Sequence, residues 1–164
     1  MHELQRLTAA HAPALLAFET ANRAWFARTI SDRGDDYFAQ FPQRHAAILA
    51  EQAAGQHHFH VVVDPGGAIV GRVNLVDVAD GRAELGYRIA ADAAGKGLAT
   101  AMVARVCELA AGEYALTGLT ARTTLDNAAS AAVLRRNGFT VDGPITVGDR
   151  PGMHYFRDLV ISAS

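Results

Sequence analysis

Hydrophobic residues in the first third of the chain recur every three or four positions, the spacing of a helix face. This spacing predicts one helix between Thr8 and Ile30 and a second from Tyr37 to Ala54, which Gly55 ends. The intervening segment Ser31–Asp36 is polar and is predicted to be a loop. The chain therefore begins with a helical region.

The hydrophobic pattern then changes to the two-residue period of strands. His58–Val63 and Ala68–Val76 flank the turn sequence Asp64–Gly67, which predicts a hairpin. A third strand is predicted over Ala83–Ile89, where apolar and other residues alternate, so that only one face is apolar.

The second half of the chain predicts helices and strands in alternation. The predicted elements are a helix that begins at Gly97-Leu98 and stops at Gly112, a strand over Leu116–Thr124, a helix from Asn127 to Asn137-Gly138, and strands over Phe139–Gly143 and Met153–Ser162. Two helices, three antiparallel strands, and then helix, strand, helix and two strands predict a mixed α/β sheet packed by helices.

Length and composition limit the classes of function. The 164 residues suit a single domain over 1–164, and the net charge of -2 argues against nucleic acid as a partner. No run approaches the ~18 apolar residues of a membrane span, and the N-terminus does not resemble a secretory signal. The single cysteine, Cys107, excludes an internal disulfide and fits a reducing compartment. We therefore expect a cytoplasmic protein that does not bind membranes.

A glycine-rich turn precedes the helix at Gly97-Leu98. The only lysine, Lys96, stands between Gly95 and Gly97, while the other 14 basic residues are arginines. Free amides at a helix N-terminus bind phosphate groups, and a compact ammonium suits the same ligand. A genome-wide preference for arginine, or chance placement, would explain the same lysine. Neither a dinucleotide fingerprint nor a Walker A loop fits the local sequence.

A second candidate binding element is the start of the next helix. Asn127 and Ser130 are three residues apart, share a helix face, and can point at one bound molecule. The alternative is that Asp126 or Asn127 simply caps the helix.

Taken together, these two elements resemble the GCN5-related N-acetyltransferase (GNAT) superfamily, and within it the Rim-type N-terminal acetyltransferases of ribosomal proteins. The similar segments are Leu4–Thr8, Ala83–Ile89, Ala94–Ala101, Asn127–Ser130 and Asn137–Thr140. The resemblance implies the GNAT fold, a mixed and mostly antiparallel central sheet with helices on both faces.

The resemblance also implies acetyl-CoA as co-substrate; no metal is expected. Its pyrophosphate would lie on the turn and helix start at Gly95, Lys96, Gly97, Ala99 and Thr100. Its pantetheine arm would run beside Arg88, Ile89 and Ala90, with Asn127 and Ser130 on the other side. Two positions depart from the family pattern: Asp92, where Gln or Arg is common, and Leu134, where many members have a tyrosine acid.

Three residues are candidates for proton transfer. Glu84, on the less apolar face of its strand, is the predicted general base, and Ser130 is the predicted donor to the departing thiolate. Asp149 is the reserve base, because the resemblance implies an acidic residue near this late loop. The alternative for Glu84 is an ion pair with Arg82 or Arg72.

The acceptor is predicted to be a primary α-amine, such as a peptide or protein N-terminus. Trp25 and Phe26 belong either to the core or, as the resemblance favours, to an acceptor pocket that the loop Asp32–Asp36 completes. Small-molecule amines remain alternative acceptors, and a non-catalytic acyl-CoA-binding module is the alternative function. A homodimer is compatible with the sequence.

The three histidines His57, His58 and His60 raise the question of a metal site. No neighbouring Cys, Asp or Glu completes a ligand set, so we expect these histidines to be structural or on the surface.

Overall fold

Within the part of the chain that the structure describes, six α-helices flank a seven-stranded sheet. The computed structural model describes residues 1–160. The strands are β1 (Glu3–Arg6), β2 (His58–Val63), β3 (Ile69–Ala79), β4 (Arg82–Ile89), β5 (Gly118–Thr124), β6 (Thr140–Val147) and β7 (Arg150–Asp158). The helices are α1 (Ala12–Ala21), α2 (Arg23–Ala27), α3 (Asp35–Ala39), α4 (Phe41–Ala53), α5 (Leu98–Ala111) and α6 (Ala128–Arg136).

The sheet is antiparallel except at one pair of strands. Its order is β1-β2-β3-β4-β5-β7-β6, and β4 and β5 are the parallel neighbours. Their pairing runs from Arg82 opposite Gly118 to Leu85 opposite Ala121 and then stops, although both strands continue. The second halves of β4 and β5 are therefore not paired with each other, and a gap opens between them in the middle of the sheet.

Helices cover both faces of the sheet, as predicted. Val73 and Leu75 of β3 point to the face covered by α5 and α6, together with the buried Cys107. The opposite face carries α1–α4, whose core includes Phe18 and Phe26. Because side chains alternate along a strand, Arg72 and Asn74 of β3 point to the α1–α4 face.

The hairpin, the third strand, and the helices at Leu98 and Asn127 are confirmed, but the N-terminal helices are shorter than predicted. The segment from Thr8 to Ile30 breaks at Asn22, whose Nδ2 donates to the Phe18 carbonyl. The helix predicted from Tyr37 breaks at Gln40, and α4 then begins with Pro42 in its first turn. Proline is accepted there because the first amides of a helix have no intrahelical acceptor.

The edge strands also differ from the prediction. β1 was not predicted, because four residues of mixed polarity give no clear period. β6 extends beyond the predicted Gly143 through an irregularity at Val141/Gly143, and its Pro144 is tolerated on an edge strand. β7 ends at Asp158, and the predicted end at Ser162 lies outside the described residues.

Within residues 1–160, none of the helices combines the length and the apolar character that crossing a membrane requires.

Candidate active site

The gap between β4 and β5 opens into a cleft of about 900 Å³. Its walls come from β4, β5, α2, the turn before α5, the start of α6, and the turn between β6 and β7. These elements are far apart in sequence. They surround the same cleft because the pairing of β4 with β5 is interrupted.

Backbone groups of β4 face this cleft. The Ala90 N–H donates to the Val70 carbonyl of β3 at 2.8 Å. Because successive backbone groups of a strand point in opposite directions, those of Tyr87 and Ile89 point away from β3 and into the gap. The Ile89 carbonyl accepts from Trp25 Nε1 at 3.2 Å. The Ile89 N–H and both backbone groups of Tyr87 are thus directed at the cleft.

The turn before α5 forms the second part of the site. Gly95 and Gly97 have φ of 75° and 79°, the left-handed region in which a side chain is strained. A Cβ at either position would have nothing within 4 Å. The first amides of α5 have no intrahelical acceptor, and Ala99 and Thr100 line the cleft.

Not every predicted cofactor residue lies in the cleft lining. Lys96 is outside it, is exposed, and donates from Nζ to the Asp92 carbonyl at 2.9 Å. Ala90 is also outside it, and its N–H donates to the Val70 carbonyl of β3. Arg88 lines the cleft, but its side chain lies on the α1–α4 face. Asp92 is exposed to solvent.

The start of α6 faces β4 across the cleft. Asn127 Oδ1 accepts from the Ser130 N–H at 3.1 Å, so Asn127 caps α6, and both residues also line the cleft. The Tyr87 hydroxyl donates to Ser130 Oγ at 3.2 Å. Burial raises the pKa of Tyr87, against the smaller opposite effect of Ser130. Sequence reasoning missed Tyr87, because its place in the alternating pattern suggested only a core residue.

The two candidate bases have different surroundings. Glu84 Oε1 accepts from Arg122 Nε at 2.6 Å, and Glu84 is outside the cleft lining, although Arg122 belongs to it. The ion pair is therefore with Arg122 rather than with either arginine named from the sequence. Asp149, in the turn between β6 and β7, is exposed and lines the cleft. The structure brings Ser130 and Asp149 to the same cleft.

Two aromatic side chains of α2 line the α1–α4 side of the cleft. Trp25 is held by its bond to the Ile89 carbonyl, and the Arg28 guanidinium lies 4.6 Å from its ring. Phe26 is buried, and the Arg88 guanidinium lies 4.6 Å from its ring.

A buried carboxylate with three arginines lies beside Phe26. Glu19 of α1 is 1% exposed, and its oxygens are 2.7 Å from Arg72, 3.0 Å from Arg88 and 3.1 Å from Arg33. Burial acts to raise the pKa of Glu19, but the three guanidiniums outweigh it and hold that pKa below its usual range. Glu19 is thus a fixed anion and a poor base.

Sequence reasoning missed this cluster of Glu19, Arg33, Arg72 and Arg88 (the arginine cluster). A signal was present, because Glu19 is the only Asp, Glu, Lys or Arg between Ala9 and Ala21. A lone charge in an apolar helix is a candidate for a buried ion pair.

Two carboxylates of the acidic loop share one cationic partner within the protein. Arg23 donates to Asp32 at 2.7 Å and to Asp35 at 2.8 Å. The bonds from Arg23 lower the pKa of Asp32 to about 2. Of the loop Asp32–Asp36, which was expected to complete the acceptor pocket, only Arg33 lines the cleft.

The histidines serve the fold. No group of three His, Cys, Asp or Glu side chains within residues 1–160 has the arrangement of a metal site. His60 is buried, with Nδ1 3.1 Å from the Val73 carbonyl and Nε2 2.5 Å from the Tyr114 hydroxyl. His58 stacks on Tyr114 with ring centroids 3.7 Å apart.

The match to a family model decides the family. The model of the acetyltransferase (GNAT) domain matches residues 3–140. The chain belongs to the GNAT acetyltransferases. No curated protein sequence matches it significantly.

Solved structures share the GNAT fold over nearly the whole chain. The ribosomal-protein-S5-alanine acetyltransferase of Vibrio fischeri is 18% identical and has a TM-score of 0.90, covering 96% of this chain and 92% of its own. RimJ of Mycobacterium smegmatis, solved with a CoA disulfide, is 22% identical with a TM-score of 0.85 over 96% and 81%. A mutant of the spermidine N-acetyltransferase SpeG of Vibrio cholerae is 15% identical with a TM-score of 0.77 over 96% and 95%.

Proposed function

We propose that this GNAT acetyltransferase transfers acetyl from acetyl-CoA to a primary α-amine, such as a peptide or protein N-terminus. One observation carries the proposal. The β4 backbone, the α5 amides and the Tyr87–Ser130 pair all face one cleft in the gap between β4 and β5. RimJ, a structure similar in fold, was solved with a CoA disulfide.

The residues of the cleft fit the parts of acetyl-CoA. The backbone groups of Tyr87 and Ile89 suit the amides of a pantetheine arm, which pair as an added strand would. The α5 amides and the two open glycine positions suit the pyrophosphate. Acetyl-CoA would supply an activated thioester.

The last turn of α6 offers a further phosphate contact. Asn137 Nδ2 donates to the Thr100 carbonyl at 3.2 Å, so this turn lies against the first turn of α5. Arg136 belongs to the cleft lining and Arg135 does not. Lys96 would have to leave the Asp92 carbonyl to join this site.

We assign proton transfer to residues on the cleft wall. Asp149 would take the proton of the attacking amine, directly or through water. Ser130 would donate to the departing thiolate, and its hydroxyl hydrogen is free to do so because Ser130 Oγ accepts from Tyr87. A thiol is already acidic, with a pKa near ~8.5, so a hydroxyl donor is sufficient. Glu84 is the second candidate base.

Protonation favours an α-amine over a lysine side chain. An α-amine titrates near ~7.7–8.0 and lysine near ~10.4, so at pH 7 about 10% of the former and under ~0.1% of the latter is neutral. Asp149, a single exposed carboxylate, would be a weak base for deprotonating a lysine side chain. The fold likeness to a ribosomal-protein acetyltransferase agrees with this choice.

The proposal is tested by competition between two peptides for acetyl-CoA. One has a free N-terminus and no lysine; the other has the same sequence, a blocked N-terminus and one lysine. We expect the free N-terminus to give the higher kcat/KM in a thiol-release assay. A preference for the blocked peptide would overturn the α-amine assignment, and a preference for spermidine would favour a small-molecule acceptor.

A further inference from the structure

The arginine cluster holds more positive than negative charge. Three guanidiniums surround the single carboxylate of Glu19, leaving a formal excess of two positive charges. The neighbouring group of Arg23, Asp32 and Asp35 carries a formal charge of -1, so it offsets only one of these two positive charges. Burial lowers the pKa of Arg88 to about 10, and repulsion from Arg33 and Arg72 adds to that effect despite the attraction of Glu19.

The cluster also contains hydrogen-bond donors without acceptors. The Nε atoms of Arg33 and Arg72 are buried, and neither has a hydrogen-bond partner within residues 1–160. The Arg72 side chain is 5% exposed. Buried donors on charged groups are costly when they are unpaired, so an anion next to the cluster would stabilise it.

The cluster lies on the acceptor side of the cleft rather than at the phosphate turn. Arg33 and Arg88 both line the cleft. Arg88 reaches Glu19 and Phe26 on the α1–α4 face, whereas α5 packs on the opposite face. The pyrophosphate site at the start of α5 therefore does not neutralise the cluster.

A second unpaired group lies next to the cluster. Asn74 is two residues from Arg72 on the same face of β3 and lines the cleft. Its Oδ1 is buried and accepts no hydrogen bond from residues 1–160. Opposite it stands Gly86, where a Cβ would have open space. An amine placed here would supply the missing donor.

We propose that the acceptor carries a carboxylate close to its primary amine, with the carboxylate bound at Arg33 and Arg88 and the amine beside Asn74. This inference rests on the proposed function and narrows its substrate class. A carboxylate accepts two hydrogen bonds from a guanidinium fork and offsets the excess charge. Polyamines, which carry only positive groups, would meet repulsion at the same place.

Two kinds of acceptor can present this carboxylate, and matched pairs distinguish them. The first pair is a free amino acid and its amide; the second is a peptide with an acidic second residue and the same peptide with the corresponding amide side chain. We expect the carboxylate member of one pair to have the higher kcat/KM by about 10- to 100-fold, mainly through KM. The pair that responds identifies the source of the carboxylate.

Variants connect this preference to the cluster. Arg33→Gln is expected to reduce the carboxylate-to-amide ratio by about tenfold or more, and Arg33→Lys to retain most of it. Arg82→Gln removes an exposed arginine that lies outside both the cleft lining and the cluster, so the ratio is expected to remain. Thermal unfolding checks that each variant is folded.

The possible failures are distinguishable. Equal kcat/KM for both members of both pairs, or an unchanged ratio in folded Arg33→Gln, would overturn this inference while leaving acetyl transfer intact. If acetyl-CoA binds in calorimetry but no amine is acetylated, the proposed function fails. In that case, the acetyl-CoA-loaded protein is titrated with the carboxylate and the amide member of each pair. Their binding affinities then test the carboxylate preference without any acetylation.

Discussion

At the scale of single residues, local sequence pattern predicted some of the residues that line the cleft and missed others. Ser130 and Asn127 could be predicted from the sequence, because two polar residues three positions apart at the start of a helix form a local pattern. Tyr87 was not, because its contact with Ser130 joins a strand to a helix 43 positions later. Glu19 was missed for the same reason, since its partner Arg88 is 69 positions away. Contacts of this kind exist only in the folded sheet.

The two candidate bases are separated by matched amide variants. Asp149→Asn is expected to lower kcat by about 10²-fold or more, because positioned proton transfer contributes about 10²–10⁴-fold. Glu84→Gln should remain within a few-fold of the parent, because its carboxylate is paired with Arg122. Steady-state kinetics with saturating acetyl-CoA measures both. The reverse result would assign the base to Glu84.

Tyr87 is expected to act through Ser130 as a positioning residue. Tyr87→Phe should lower kcat by about tenfold with little change in the affinity for acetyl-CoA, because only the bond to Ser130 Oγ is removed. Ser130→Ala should lower kcat at least as much, and the double variant should resemble Ser130→Ala. Additive losses in the double variant would show that the two hydroxyls act independently.

At the scale of elements, the sequence predicted the parts of the site but not their arrangement. The glycine turn and α5 could be predicted because their signals lie within one short segment of the sequence. These signals are the glycines of the turn, the apolar residues at helical spacing and Gly112, where the helix ends. The gap between β4 and β5 was not, because it depends on parallel pairing that ends at Leu85 and Ala121.

The turn before α5 is testable with two valine substitutions. Gly97→Val and Gly67→Val each place a side chain at positive φ, 79° and 88°, which costs about 1–2 kcal/mol of stability. Only Gly97 lies in the cleft, so only its variant should lose CoA affinity, by about tenfold or more in calorimetry. If both variants bind CoA like the parent, the pyrophosphate is not bound at this turn.

At the scale of the whole molecule, the net charge of -2 conceals how charge is distributed. The charged residues that line the cleft are six arginines and Asp149; the arginines are Arg28, Arg33, Arg88, Arg122, Arg136 and Arg150. The overall composition indicated the general class of protein, but the net charge of the whole chain does not show that the cleft is strongly cationic. This local excess would favour the proposed binding of the CoA phosphates and of an acceptor that carries a carboxylate.

The stability of the molecule should depend on pH through His60. Burial lowers the pKa of His60 to about 4, from an ordinary value of 6.5. Between these values the unfolded chain binds a proton that the native state does not, so the free energy of unfolding falls as pH is lowered. We expect His60 to account for a loss of about 2 kcal/mol between pH 7 and pH 5. Urea unfolding of the parent and His60→Gln at both pH values measures it, because the variant should lose this part of the pH dependence. Equal pH dependence in the two proteins would mean that His60 titrates normally in the native state.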